Sequence, residues 1–287
     1  MNEWPASTPM LGVVGEVMKR VSIVTISFNQ AQFLERTILS VLNQDHPDIE
    51  YIVVDPGSTD GSLDIIERYR PRISKVILRP DHGAADGLNG GFAEATGEIL
   101  GFLNSDDVLL PGALAEAVGF LEQNADIDVV SGHCNLIDPC DRILRNLYSD
   151  RMSLKACIYG GVLLMQPSTF FRRRIFDRAG GFRRENRACW DGELFLEMAR
   201  VGGRFAVVDR FWSAFRIHSG SVTGSKSSAK LIRQTEDSIF ARVIGRRPRG
   251  YDRMLAFGYR MLRHVRNPMD TWERVRRGPV FGRRMDW

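Results

Sequence analysis

Between residues 20 and 130 the chain alternates at short intervals between runs dense in β-branched residues and runs with apolar residues at helical spacing. No other feature restricts the fold as much. Val21-Ser22-Ile23-Val24-Thr25-Ile26 has the near-continuous apolar character of a parallel strand buried on both faces. Residues 32–43 follow, with Phe33, Leu34, Ile38, Val41 and Leu42 spaced for one face of a helix. Residues 51–54 read as a second strand, stopped at Asp55-Pro56-Gly57, and 62–69 as a helix with Ser62 as its N-cap. The spacing predicts strands at 75–78 and 98–103 and helices over 84–95 and 111–123, the last with Pro111 in its first turn. Residues 128–130 open a fifth strand. Such βαβ repetition predicts an α/β fold: a Rossmann-like, mainly parallel sheet flanked by helices.

Ligands of these sheets sit beyond the carboxyl ends of the strands. Asp55 falls at one such end, and Asn104-Ser105-Asp106-Asp107 at another. Adjacent carboxylates closing a buried strand repel one another and are costly unless a cation or hydrogen bonds compensate them. The sequence therefore offers two readings of this stretch: a solvated turn with a capping acid, or a metal site.

Other features exclude function classes. No G-x-G-x-x-G follows the first strand and no G-x-x-x-x-G-K-[ST] occurs, which argues against NAD-linked hydride transfer and P-loop hydrolysis. No segment approaches the ~18 uninterrupted apolar residues of a membrane-spanning helix. The N-terminus has no basic start followed by an apolar run, so no secretion signal is expected. Cys134, Cys140, Cys157 and Cys189 show no zinc-ligand spacing and are expected as thiols in a reducing compartment. The expected location is cytoplasmic.

Charge is unevenly spread. From Lys226 onward there are 16 Lys+Arg against 6 Asp+Glu, whereas the rest of the chain carries 23 against 29. Within this basic tail Tyr251, Met254, Leu255, Tyr259, Leu262 and Val265 mark one face of a helix bordered by Arg253, Arg260, Arg263 and Arg266, with Pro268 as its end. One reading docks that helix on anionic lipid at the inner face of the membrane. The other packs it on the domain or in a homo-oligomer interface. No nucleic-acid-binding module accompanies the charge. The Ser/Gly/Thr-rich stretch 219–228 reads as a mobile loop.

Several segments together resemble family-2 glycosyltransferases with the GT-A fold. VSIVTISFNQAQFLERTILSVLNQ and IEYIVVDPGSTDGSLDII resemble the family's opening, and PDHGAADGLNGGFAEATGEILGFLNSDD resembles the segment that ends in its D-x-D metal motif. QPSTFFRRRIFDRAGGF, WDGELFLEMARVGG and FRIHSGSVT are similar to its acceptor-side segments. On this reading residues 1–19 are a lead-in and 20–223 form the GT-A domain. Residues 20–130 would be its nucleotide-sugar half and 131–223 its acceptor half, with 224–287 a basic helical extension.

The resemblance implies an inverting transfer from a nucleotide-diphosphate sugar, UDP-type, to a hydroxyl acceptor, saccharide or lipid-linked, in surface polysaccharide or glycolipid synthesis. It implies a divalent metal, Mn²⁺ or Mg²⁺, held by Asp106, Asp107 and His218, hard oxygens and a neutral imidazole being suited to it. Asn104 stands where many relatives have the first Asp of D-x-D; it and Ser105 are expected at the donor. Asp55 is expected to accept from a base imide N–H, with Thr25, Ser27 and Asn29 lining the same pocket and Asp86 and Asn89 as further donor contacts. Asp191 is implied as the general base, charged at a helix start, with Glu193 as runner-up. Trp190 stands where relatives often have a second acid. Gln166, Ser168 and Thr169 are expected on the acceptor or phosphate face. Two rivals remain at this level: a nucleotide-sugar-binding protein without turnover, and a sugar-phosphate nucleotidyltransferase.

Overall fold

The computed structural model describes residues 19–218 and 228–278. Most of the expected lead-in, the stretch 219–227 and the last nine residues lie outside the described residues.

The predicted alternation is present. Strand β1 (Val21–Ile26) is followed by α1 (Ala31–Leu42), β2 (Ile49–Asp55), α2 (Ser62–Tyr69), β3 (Lys75–Leu78), α3 (Ala84–Glu94) and β4 (Ile99–Asn104). These strands pair in parallel in the order β3-β2-β1-β4. The two-residue β5 (Val108–Leu109), α4 (Ala113–Gln123), β6 (Val129–Ile137), β7 (Ile143–Leu147), α5 (Leu154–Ile158), β8 (Thr169–Arg172), α6 (Arg173–Ala179), α7 (Trp190–Arg200) and β9 (Phe205–Arg216) complete the body. Here the sheet turns mixed. β8 is antiparallel to both β4 and β6, β9 runs parallel to β6, β5 is antiparallel to β9, and β7 pairs with β6 from off the main path.

Two details of the helix starts differ from expectation. Ser62 is the first residue of α2 and makes no cap; Gly61, at φ +97°, precedes it, while the Ser62 hydroxyl donates to Asp60 Oδ1 (2.6 Å). Pro111 stands before α4, whose start is set by Gly112 at φ +80°.

Side-chain alternation along β1 explains the two-layer core. Val21 and Ile23 face one cluster, with Leu34, Ile38 and Val41 of α1 and Leu114 and Val118 of α4. Val24 faces the other, with Leu88 and Phe92 of α3, Phe176 of α6 and Leu194 and Phe195 of α7. Helix α3 lies so close to β1 that a Cβ on Gly91 would come within 2.4 Å of a Val24 methyl.

Three helices follow: α8 (Ser228–Ile244), α9 (Gly250–Arg266) and α10 (Pro268–Arg277). Pro268 thus ends α9 and also begins α10, a first-turn position where its missing N–H costs nothing. The helices dock through polar contacts. Tyr259 stacks on Tyr159 at 5.4 Å, Asp252 accepts from Tyr159 Oη and Arg246, and Asp150 accepts from Arg263 and Asn267. No helix among the described residues is long and apolar enough to cross a membrane.

Candidate active site

Strand direction decides which residues meet. β6 and β9 run the same way as β4, so the carboxyl ends of β1, β4 and β9 share one edge of the sheet. The turn after β4 carries Asn104–Asp107, and β9 delivers His218 two residues past its end. There His218 Nε2 lies 3.1 Å from Asp106 Oδ2, although 112 residues separate them. The His218 ring packs on Phe33 at 4.7 Å.

Arg216 joins the two segments. It is fully buried; its backbone N–H donates to Asp107 Oδ1 (2.9 Å), Nε to the Asp106 carbonyl (2.8 Å) and Nη1 to the Asp138 carbonyl (2.9 Å). Its guanidinium also pairs with Asp141 (2.6 Å) and lies over the Phe33 ring. The sequence reading missed Arg216, whose signal was its place in FRIHSGS, two residues before the histidine.

Beside this edge opens a cavity of about 800 Å³. Ser27, Phe28 and Pro56 line it from the ends of β1 and β2, and Asn104, Ser105 and Asp106 from the turn after β4. Residues 80–84 line it at the start of α3, Gln166 before β8, and Arg187, Trp190 and Asp191 from the start of α7 and the loop before it. Gly83, at φ +112°, lets that loop pass beside the Arg187 guanidinium, which a Cβ there would meet at 2.9 Å. Leu163, Leu164, Met165 and Phe215 also line it, and β7 and α10 add Arg145, Leu147 and Arg274. The sequence reading assigned no part in the site to Arg145, Arg187 or Arg274.

Burial in this cavity pushes the Asp191 carboxyl above the usual aspartate range, against the opposing pull of backbone N–H groups at the start of α7. Among the described residues lining the cavity, three buried polar atoms lack a hydrogen-bond partner: Ser27 Oγ, Asn104 Oδ1 and Arg145 Nε. Asn104 Nδ2 is engaged instead, with Asp107 Oδ2 and Gln166 Oε1, both at 3.3 Å.

The structure brings Ser27, Asn104, Ser105, Asp106, Gln166 and Asp191 to one cavity, with His218 at Asp106. Other expected residues face elsewhere. Thr25 shares the inward face of β1 with Val21 and Ile23, is fully buried and bonds the Tyr51 hydroxyl (3.0 Å). The Asp55 carboxylate is buried and accepts from Gly57 N, Ser58 N and Ser58 Oγ, and its neighbour Pro56 lines the cavity. Asn29, at φ +53°, accepts from Thr59 N and braces that loop. Asp86 is taken up by His82 and Arg184, and Asn89 by both backbone groups of Phe182. Glu193 lies beneath α7, paired with Arg242 and Asn186. Ser168 and Thr169 bond inward, to Ser213 and to Ser131.

Asp107, expected with Asp106 as a metal ligand, does not line the cavity. It is fully buried, and its carboxyl is held well above the usual range by desolvation and by the neighbouring charge of Asp106. It braces the turn from inside. Replacing Asp107 by alanine orphans the Arg216 N–H, which costs about 3 kcal/mol. Thermal denaturation of the variant is expected to show a Tm lower by roughly 5–10 °C.

Comparison with known proteins accords with this arrangement. Residues 22–180, more than half of the chain, match the sequence profile described as glycosyl transferase family 2. The chain belongs to that family. An uncharacterized glycosyltransferase of Nostoc sp., alr2836, is 39% identical over 222 residues, covering 73% of this chain and 68% of its own. The putative teichuronic acid biosynthesis glycosyltransferase TuaG of Bacillus subtilis is 38% identical over 108 residues, 37% of this chain and 43% of that relative. Among solved structures, S. aureus TarS in complex with UDP-GlcNAc superposes with a TM-score of 0.64 at 18% identity, over 89% of this chain and 74% of that one. The mannosyltransferase PcManGT of Pyrobaculum calidifontis, in complex with GDP-Man and Mn²⁺, gives 0.62 at 22%, over 91% and 74%. At these identities the structural matches show the GT-A fold alone. This glycosyltransferase is an enzyme of that fold, and its α10 reaches back into the cavity of the family domain.

Proposed function

We propose that this glycosyltransferase moves a sugar from a nucleotide-diphosphate donor of the UDP type to an acceptor hydroxyl with inversion, using Asp106 and His218 to hold a divalent metal. The observation that carries this reading is the convergence of the Asp106–His218 pair, the unpartnered Asn104 Oδ1 and Asp191 around one cavity. A carboxylate, an imidazole and an amide oxygen form a donor set that suits Mn²⁺ or Mg²⁺. No cluster of three His, Cys, Asp or Glu occurs among the described residues, so oxygens of the donor diphosphate would complete the shell. When bound, the metal would neutralise charge on the leaving diphosphate.

Asp191 takes the proton of the acceptor hydroxyl as its oxygen attacks the anomeric carbon from the side opposite the diphosphate. One C–O bond forms as the bond to the diphosphate breaks, and the nucleoside diphosphate leaves. Residues 20–223 would form the catalytic unit in this reading, 20–130 serving the donor and 131–223 the acceptor. A thermal-shift panel of UDP, GDP, CDP and dTDP, with and without Mn²⁺, tests it. Ligand at a hundredfold excess over Kd stabilises by about 2.7 kcal/mol, so one nucleotide is expected to raise Tm only with metal. No shift with any pair would remove the donor site.

The extension supports a peripheral contact with anionic lipid, and hence an acceptor carried on a membrane in surface polysaccharide synthesis. One face of α9 packs on the domain, but Met254, Phe257, Met261 and Val265 on the other are 75, 67, 51 and 76% exposed. Met269, Trp272 and Val275 of α10 are also exposed. Exposed Arg253, Arg260, Arg266 and Arg276 accompany them, as on an interfacial helix whose charge complements anionic headgroups. The expected result is co-sedimentation with phosphatidylcholine vesicles only when they contain phosphatidylglycerol, weakened at least ~tenfold by Met254→Glu with Val265→Glu. Unchanged sedimentation of the double variant would reject the face. A concentration-dependent dimer lost in that variant would assign it to a second copy of the chain.

A further inference from the structure

We propose that Arg145 and Arg274 form a binding site for a phosphate-class anion carried by the acceptor, in the wall of the cavity built by β7 and α10. The proposal rests on reading the cavity as a nucleotide-sugar transfer site, and it assigns the extension a part in substrate recognition.

Arg145 is an unusual side chain for a cavity wall. It is only 3% exposed, its Nε has no hydrogen-bond partner, and its Nη2 stops 3.8 Å short of Asp270 Oδ1, which is itself unpartnered. A buried guanidinium left this way is costly, so the fold retains it against its own stability. Strand alternation brings Arg145 to the cavity along with Leu147, two residues on. Arg274 comes to the same wall from α10 and is about one-third exposed.

The local charges do not balance. Asp270 is shared by Arg145, Arg263 (3.1 Å) and Arg274 (3.1 Å), and Arg263 also draws on Asp150. Glu273, buried on the same helix, is paired with Arg277 (3.4 Å). Four guanidiniums therefore divide three carboxylates, and none of the three carboxylates lines the cavity while Arg145 and Arg274 do. The surplus positive charge faces the ligand space. Paired guanidinium forks fit the tetrahedral oxygens of a phosphate. That group could be a phosphate of a soluble glycan or the phosphate of a lipid carrier; the recognition chemistry is the same.

The test follows the arginine Nε–Hε NMR signals of the full chain, saturated with UDP and Mg²⁺, during titration with inorganic phosphate. The Arg145 and Arg274 signals, assigned by R145K and R274K, are expected to shift saturably. Arg274→Gln, at a half-open position, is expected to weaken phosphate binding about tenfold with UDP affinity unchanged. Where Arg145→Gln lowers Tm, Arg274→Gln alone decides. Absence of shifts, or equal phosphate affinity in R274Q, overturns the proposal. Phosphate binding that disappears on adding UDP also overturns it, since the arginines would then serve the donor diphosphate. UDP binding is read separately in the same samples, so failure of the donor reading and failure of this site are distinguishable. Glycerol 3-phosphate in solution and farnesyl monophosphate in phosphatidylcholine vesicles then separate the two sources by their relative affinity.

Discussion

Replacing Asp191 by asparagine is expected to lower turnover by about 10²–10⁴-fold while nucleotide binding persists, the range that a positioned general base supplies. Asparagine keeps the size of the side chain and a donor–acceptor pair at the first turn of α7, so the cavity wall survives the change. What disappears is a group able to take a proton. The pH profile gives an independent check. Burial raises the Asp191 pKa, so the base becomes protonated, and activity falls, at a higher pH than an exposed aspartate would allow. The linkage to stability has a definite sign. The folded state holds this proton more tightly than the unfolded chain, so ionising Asp191 costs stability as pH rises from the usual aspartate value through the raised one. The asparagine variant is therefore expected to be at least as stable as the parent at neutral pH. Full turnover in D191N would take Asp191 out of the mechanism.

Asp106→Asn is expected to abolish the metal-dependent part of nucleotide binding and to reduce turnover about 10³-fold, since a bound metal contributes several kcal/mol to stabilising the departing charge. The comparison that makes this specific is Asp107→Asn. The two acids are neighbours, yet the Asp106 carboxylate sits at the cavity against His218, whereas that of Asp107 is buried against the Arg216 backbone. Asparagine at 107 can still accept from the Arg216 N–H and relieves the repulsion with Asp106, so metal-dependent binding should persist there. Equal losses in both variants would contradict the separation of roles. Metal dependence in D106N would assign the cation to other residues.

These acids show how far the sequence could be read. The βαβ alternation located β1 to β4 and the turn after β4 because buried parallel strands write themselves as apolar runs. It could not say which way each acid of the turn faces. That depends on Arg216, which arrives from a strand more than a hundred residues later. The same limit explains Thr25 and Asp55. Both sit at strand ends where ligands are expected, and both bond local partners, Tyr51 for one and the loop amides of 57 and 58 for the other. After β4 the sheet turns mixed, with β7 and β8 running against β6 and β9, and the two-residue β5 carries no periodicity to find. Arg145 and Arg274 were invisible for a related reason: isolated arginines in a basic chain gain meaning only when folding buries one of them and sets it beside the other.

An inverting transfer at the Asp106–His218–Asp191 cavity can be tested before any acceptor is known, with water in the acceptor's place. The measurement is proton NMR of the free sugar first released when the enzyme hydrolyses an α-linked UDP-sugar, followed before mutarotation and with Mn²⁺ present or chelated. The expected release requires the metal, is lost in D191N, and yields the β-anomer first. Initial appearance of the α-anomer, or release that proceeds equally after chelation, would contradict it.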